Sequence, residues 1–152
     1  DWHLTLAFLG DVPGPAAARL APRLERAAAR HRPFPLALAG AGAFPAAARA
    51  RVLWCGLAGD RPALAALAAS VAGAATRAGA APPDVGRPFR PHLTLARCRT
   101  QADVRDLVTA LGAYDGPQWR VDRIHLIDSH PGGQPRYTTI GSWPLNGDTL
   151  GP

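Results

Sequence analysis

A pentapeptide occurs twice in this chain, as His3-Leu4-Thr5-Leu6-Ala7 and again as His92-Leu93-Thr94-Leu95-Ala96. An identical internal repeat constrains the fold more than any other feature, because it asks for two like structural units. In an extended strand alternate side chains share a face. His3 and Thr5, like His92 and Thr94, therefore point one way, while Leu4, Leu6, Leu93 and Leu95 point into a core. Each copy offers one imidazole and one hydroxyl from a strand.

The chain around the two copies reads as a recurring order of elements. Residues 2–9 form a short strand ended by Gly10-Asp11 and the Pro13-Gly14-Pro15 cluster. Residues 16–32 have Leu20, Leu24 and Ala27 or Ala28 at helical spacing, with Pro22 either kinking the helix or marking its first turn. A strand over 34–39, a small-residue loop over 40–50 and a second strand over 51–57 follow. A helix then runs from Asp60 as N-cap to Gly79 as C-terminal glycine. A Pro/Gly-rich connection, 80–90, leads into the second copy.

Beyond that copy, Thr100-Gln101-Ala102-Asp103 resembles a capping box, with Asp for the usual Glu, opening a helix to about Ala113. Two extended segments, 119–129 and 136–143, are joined by a hairpin turn at 131–135. Each half repeats the same program. The expected class is α+β, with two similar lobes of mainly antiparallel sheet facing a cleft between the repeated strands.

Length bounds the domain count: 152 residues suit one domain, here 1–152, with a core that needs no staples. Cys55 and Cys98 are too few for a secreted disulfide framework and read as reduced thiols of a cytosolic protein. No apolar run approaches the roughly 20 residues of a membrane helix, and nothing resembles a signal peptide, so a soluble, cytoplasmic protein is expected. The net charge of +6 suits an anionic partner such as RNA or a nucleotide. Every one of the 17 basic residues is Arg, however, and with abundant Ala, Gly and Pro this also fits the codon bias of a GC-rich genome. Charge therefore contributes little to the functional reading.

Two imidazoles across a cleft suit paired proton transfer, since histidine titrates near working pH. A threonine two residues on can donate a hydrogen bond to a phosphate oxygen or hold its neighbouring histidine. Phosphodiester hydrolysis without a metal fits that inventory. Two rivals stand beside it. In one, the histidines hold a metal, with His125 or His130 as third ligand. In the other, Cys98 is a nucleophile paired with His92, whose face it shares if the strand runs regularly. His31, His125 and His130 otherwise read as surface residues.

The duplicated His-x-Thr-x pattern with apolar x resembles the two-histidine phosphoesterases, specifically the RNA 2′,3′-cyclic phosphodiesterase group also called 2′-5′ RNA ligases (LigT/ThpR-like). The likeness extends to Ala7-Phe8-Leu9-Gly10, Gly42-Ala43-Phe44-Pro45, Val52-Leu53-Trp54, Phe89-Arg90-Pro91, Ala96-Arg97 and Trp143-Pro144-Leu145.

The resemblance implies a bilobal α+β fold and metal-independent opening of a 2′,3′-cyclic phosphate to a 2′-phosphate. It makes His3 and His92 the acid/base pair and Thr5 and Thr94 the phosphate-binding hydroxyls. No metal or cofactor is implied. The partner would be RNA with a 2′,3′-cyclic phosphate end or a small cyclic nucleotide, the enzyme a monomer. Arg97 belongs to the pattern, although simple alternation turns it away from His92, so a phosphate role needs a bulge. Arg90, which shares the parity of His92, is a weaker candidate. Two other activities are compatible: 2′-5′ joining or cleavage of RNA, and an RNA-end or nucleotide binding module with little catalysis. The family also leads one to expect a strand and a helix ahead of the first motif. Without them the first lobe would expose a sheet edge.

Overall fold

The computed structural model describes residues 2–83 and 86–146. Among these residues three helices and six strands follow the order α1 (Gly14–Ala28), β1 (Phe34–Phe44), β2 (Ala50–Gly59), α2 (Arg61–Ala78), β3 (Leu93–Ala102), α3 (Arg105–Leu111), β4 (Asp115–Val121), β5 (Arg123–Ser129) and β6 (Tyr137–Pro144), with a short 3-10 turn at Ala47–Arg49. The α+β class holds. All strand pairs are antiparallel: a four-stranded sheet of order β3-β2-β1-β4 and a two-stranded sheet of β5 and β6.

Both long helices form for reasons visible locally. In α2 the Asp60 carboxylate accepts a hydrogen bond from the Ala63 N–H at 3.0 Å, and Gly79 closes the helix at φ 87°, a left-handed conformation that glycine adopts without penalty. In α1, Leu20, Leu24, Ala27 and Ala28 line the buried face, and Pro15 occupies the first turn. Pro22 neither starts nor stops this helix. It lies on the solvent face together with Ala18, so the carbonyl it leaves without a donor meets water.

The helices α1 and α2 pack on each other and, with Leu36 and Leu57 of the large sheet and Ile124 and Leu145 beside the small one, build the main core. A smaller cluster of Ala50, Leu53 and Val104 lies under α3. Among the described residues no helix is long and apolar enough to cross a membrane.

Several expectations change. The loop expected over 40–50 is largely strand: β1 runs on to Phe44 through an irregularity between Leu38 and Ala41, where Gly40 takes φ 64°. Its Ala/Gly composition hides the ladder, which needs small residues because the Trp54 indole lies on Gly42. The capping box does not form. Thr100, Gln101 and Ala102 belong to β3, Ala102 pairing with Ala50, while the Asp103 carboxylate accepts from the Arg105 N–H at 3.1 Å. The extended segment 119–129 divides at Asp122, because Val121 pairs with Phe34 in one sheet and Arg123 with Pro144 in the other. The hairpin joining β5 to β6 stands as expected.

Strand exchange between the halves is the main topological finding. The element order repeats, but of β1 and β2, which follow the first copy, β2 pairs with β3 of the second copy and β1 with β4 beyond it. The first copy packs instead beside the C-terminal hairpin, Leu4 and Leu6 meeting a core that includes Leu126 and Trp143.

Candidate active site

β3 is an edge strand of the large sheet, and the first copy of the pentapeptide meets its open side. Leu4 bridges Leu93 in antiparallel sense. This isolated bridge is all the sheet pairing of the first copy, so the strand expected over 2–9 is reduced to one ladder step. Ladder formation depends on a partner as much as on propensity.

One step suffices to set the site. Leu93 is buried and Leu4 packs against the core, so the neighbours of both point to the opposite side. Antiparallel order puts His3 across from Thr94 and Thr5 across from His92. Directly opposed Cβ atoms stand about 4.5–5.5 Å apart and diagonal residues about 7–8 Å. The two imidazoles are one diagonal pair, and Thr5 and Thr94 are the other.

Arg97 joins this face through a bulge. Trp54 pairs with Thr94 but Leu53 pairs with Ala96, so β3 carries one extra residue there and its alternation reverses. Val52 then pairs with Arg97. Since Val52 and Trp54 share a face of β2, Arg97 emerges beside Thr94 and His92. Its positive charge reaches His3, whose pKa it helps to lower. The same reversal turns Cys98 away from His92, and the cysteine-nucleophile reading loses its geometry.

His92 is held from three directions. Its Nδ1 lies 2.7 Å from the Arg90 carbonyl oxygen. A carbonyl can only accept, so Nδ1 carries the proton and, in the neutral ring, Nε2 presents its lone pair. Phe44 stands edge-on to the ring with centroids 5.1 Å apart, and Trp54 lies at 6.2 Å. Trp54 is itself seated where Gly42 has no side chain; a Cβ there would fall 2.2 Å from Cζ2 of the indole. Arg90 thus contributes its main-chain carbonyl, and its side chain is exposed.

His3 has different company. Tyr137, at the start of β6, meets it edge-on with centroids 5.0 Å apart, and the Arg136 guanidinium sits 5.5 Å from the Tyr137 ring centroid. His3 remains exposed overall. Partial desolvation of the ring is the largest cause that holds its pKa below the ordinary 6.5, and the Arg97 charge is a smaller one.

The remaining histidines stay apart from this face. His31 bonds Ser70 at 2.8 Å between α1 and α2, His125 is exposed on β5, and His130 lies 3.5 Å from Asp128. Among the described residues no three His, Cys, Asp or Glu side chains gather closely enough to hold a metal ion, so neither His125 nor His130 completes a ligand set. Sequence reasoning missed Phe44, Trp54 and Tyr137 as site residues. The first two could have been found from their neighbourhood of small residues, which leaves an exposed sheet face for aromatic rings. Nothing local ties Tyr137 to His3.

The family model described as the 2′-5′ RNA ligase superfamily matches residues 2–133. The chain is 36% identical over 149 residues to an RNA 2′,3′-cyclic phosphodiesterase of Geobacillus stearothermophilus, covering 97% of this chain and 46% of that protein. It is 37% identical over 111 residues to one of Aeropyrum pernix, covering 73% of this chain and 61% of that protein. It thus spans about half to three fifths of the length of these relatives. The crystal structure of E. coli LigT complexed with 3′-AMP superimposes with a TM-score of 0.71 at 30% identity, over 95% of this chain and 77% of that one.

Proposed function

Since the chain belongs to the 2′-5′ RNA ligase superfamily, we propose that its two-histidine face hydrolyses a 2′,3′-cyclic phosphate, at an RNA end or in a small cyclic nucleotide, to a 2′-phosphate. The observation that carries this reading is the Leu4–Leu93 bridge, with the bulge that adds Arg97 to the same face. Two relatives bearing the name RNA 2′,3′-cyclic phosphodiesterase support it.

The chemistry needs few parts. A water oxygen attacks phosphorus, the bond from phosphorus to O3′ breaks, and the 2′ ester remains. One of His3 and His92 takes the proton from water, and the other gives a proton to the departing O3′. Thr5 and Thr94 donate hydrogen bonds to the non-bridging oxygens, and Arg97 offsets the negative charge that grows on them. The Arg90 carbonyl fixes the His92 tautomer and so keeps Nε2 available for either role. The described segments act together as one two-lobed catalytic domain, monomeric and cytoplasmic, with RNA as the macromolecular partner.

Incubation of the protein with a 2′,3′-cyclic mononucleotide in excess chelator should yield the 2′-phosphate and no 3′-phosphate. Turnover that requires added metal, or a 3′-phosphate product, overturns this reading. Salt-sensitive RNA binding without product would favour a binding module instead.

A further inference from the structure

We infer that Tyr137 is a positioning residue for His3, acting through its ring and resting on the site proposed above. The family match ends at residue 133, before β6 begins, so Tyr137 lies outside the matched segment while His3 lies inside it. Tyr137 is half-buried, opposite Ser129 at the turn end of the β5–β6 hairpin, and the turn fixes its height along the strand. From there the ring meets His3 at 5.0 Å and 76°, an edge-to-face arrangement favoured by the aromatic quadrupole. Arg136 lies behind, its guanidinium carbon 5.5 Å from the tyrosine ring centroid. The C-terminal hairpin therefore does for His3 what Phe44 does for His92, in a chain where the first copy has one ladder pair to steady it.

A ring that restricts an imidazole matters because catalysis falls steeply when a proton-transfer group drifts from its line. The charged and titratable groups around His3 are His92 diagonally across the bridge, Arg97 from β3, the amino-terminal charge, and Tyr137, with Arg136 behind it, from the hairpin. Packing by Tyr137 contributes to the partial desolvation that disfavours the imidazolium. Removal of the ring should loosen His3 and make it easier to protonate, whereas loss of the hydroxyl alone should do neither.

The experiment compares Tyr137→Phe with Tyr137→Leu in the whole chain. It measures kcat and KM on a 2′,3′-cyclic mononucleotide and follows the histidine titrations by NMR, with the His3 signal assigned through His3→Gln. Tyr137→Phe should keep kcat within about twofold, and Tyr137→Leu should lower kcat by roughly tenfold with little change in KM. In Tyr137→Leu the His3 midpoint should rise towards 6.5 while that of His31, which is remote, stays put. An unmoved His3 midpoint in Tyr137→Leu overturns the proposal, and so does a kcat loss as large in Tyr137→Phe, which would assign the role to the hydroxyl. If the wild-type chain turned over no cyclic phosphate, the functional reading would fall, and the titration would still decide whether Tyr137 packs on and restricts His3.

Discussion

Two identical pentapeptides occupy unequal places in this molecule. The second begins a ten-residue strand inside a four-stranded sheet, with His92 fixed by a carbonyl and two aromatic rings. The first makes a single bridge, and its histidine is exposed beside a hairpin from the far end of the chain. Five shared residues thus begin a long, bulged strand in one setting and make one ladder step in the other. Pairing partners, more than local preference, decide how much strand forms. The face on which His and Thr appear needs far less, since one antiparallel bridge orients all four side chains.

If the site is as proposed, chemistry should treat the copies alike even though structure does not. His3→Ala and His92→Ala should each lower kcat on a 2′,3′-cyclic mononucleotide by roughly 10²- to 10⁴-fold, the usual worth of one acid/base group. A bell-shaped pH profile should become one-sided in each. Full activity in either variant would break the equivalence and leave catalysis to one copy.

Stability should separate what catalysis equates. Leu93 is only 5% exposed, so Leu93→Ala should cost about 2–5 kcal/mol of unfolding free energy through lost burial and the cavity left behind. Leu4, the same residue in the same pentapeptide, is half-buried and should cost about 1 kcal/mol. Urea unfolding midpoints at unchanged slope would measure both. Equal losses would mean that the first copy is as firmly embedded as the second.

Much of this was legible beforehand because it rests on short-range rules. The α2 boundaries follow from Asp60 and Gly79, the hairpin from its Pro/Gly turn, and the four candidate side chains from strand alternation. Arg97 shows where such rules stop. Strict alternation puts it on the wrong side, and only the bulge between Thr94 and Ala96, a property of the pairing with β2, brings it round. Tyr137 lies further out of reach, since its contact with His3 joins the two ends of the described chain. Strand exchange between the halves is of the same kind: a repeated order of elements does not say which strands pair.

Arg97 also provides the finest test, because it directly follows the second copy and its charge is felt by the first. Repulsion from a guanidinium disfavours the imidazolium, so the His3 midpoint lies below 6.5 partly on its account. Arg97→Gln should raise that midpoint, though burial still holds it under the ordinary value. At any pH near the midpoint less His3 would then be neutral, and whichever limb of the rate profile reports His3, the acidic one if it is the base and the basic one if it is the acid, should move to higher pH. About 1 M salt should act in the same direction on the wild type, since screening then extends over roughly 3 Å. Arg97→Lys separates the charge from the fork: it should keep the His3 midpoint low, yet raise KM if the planar guanidinium grips the phosphate through paired hydrogen bonds. An Arg97→Gln protein whose His3 titrates as before would show that the copies share a bridge without sharing a field.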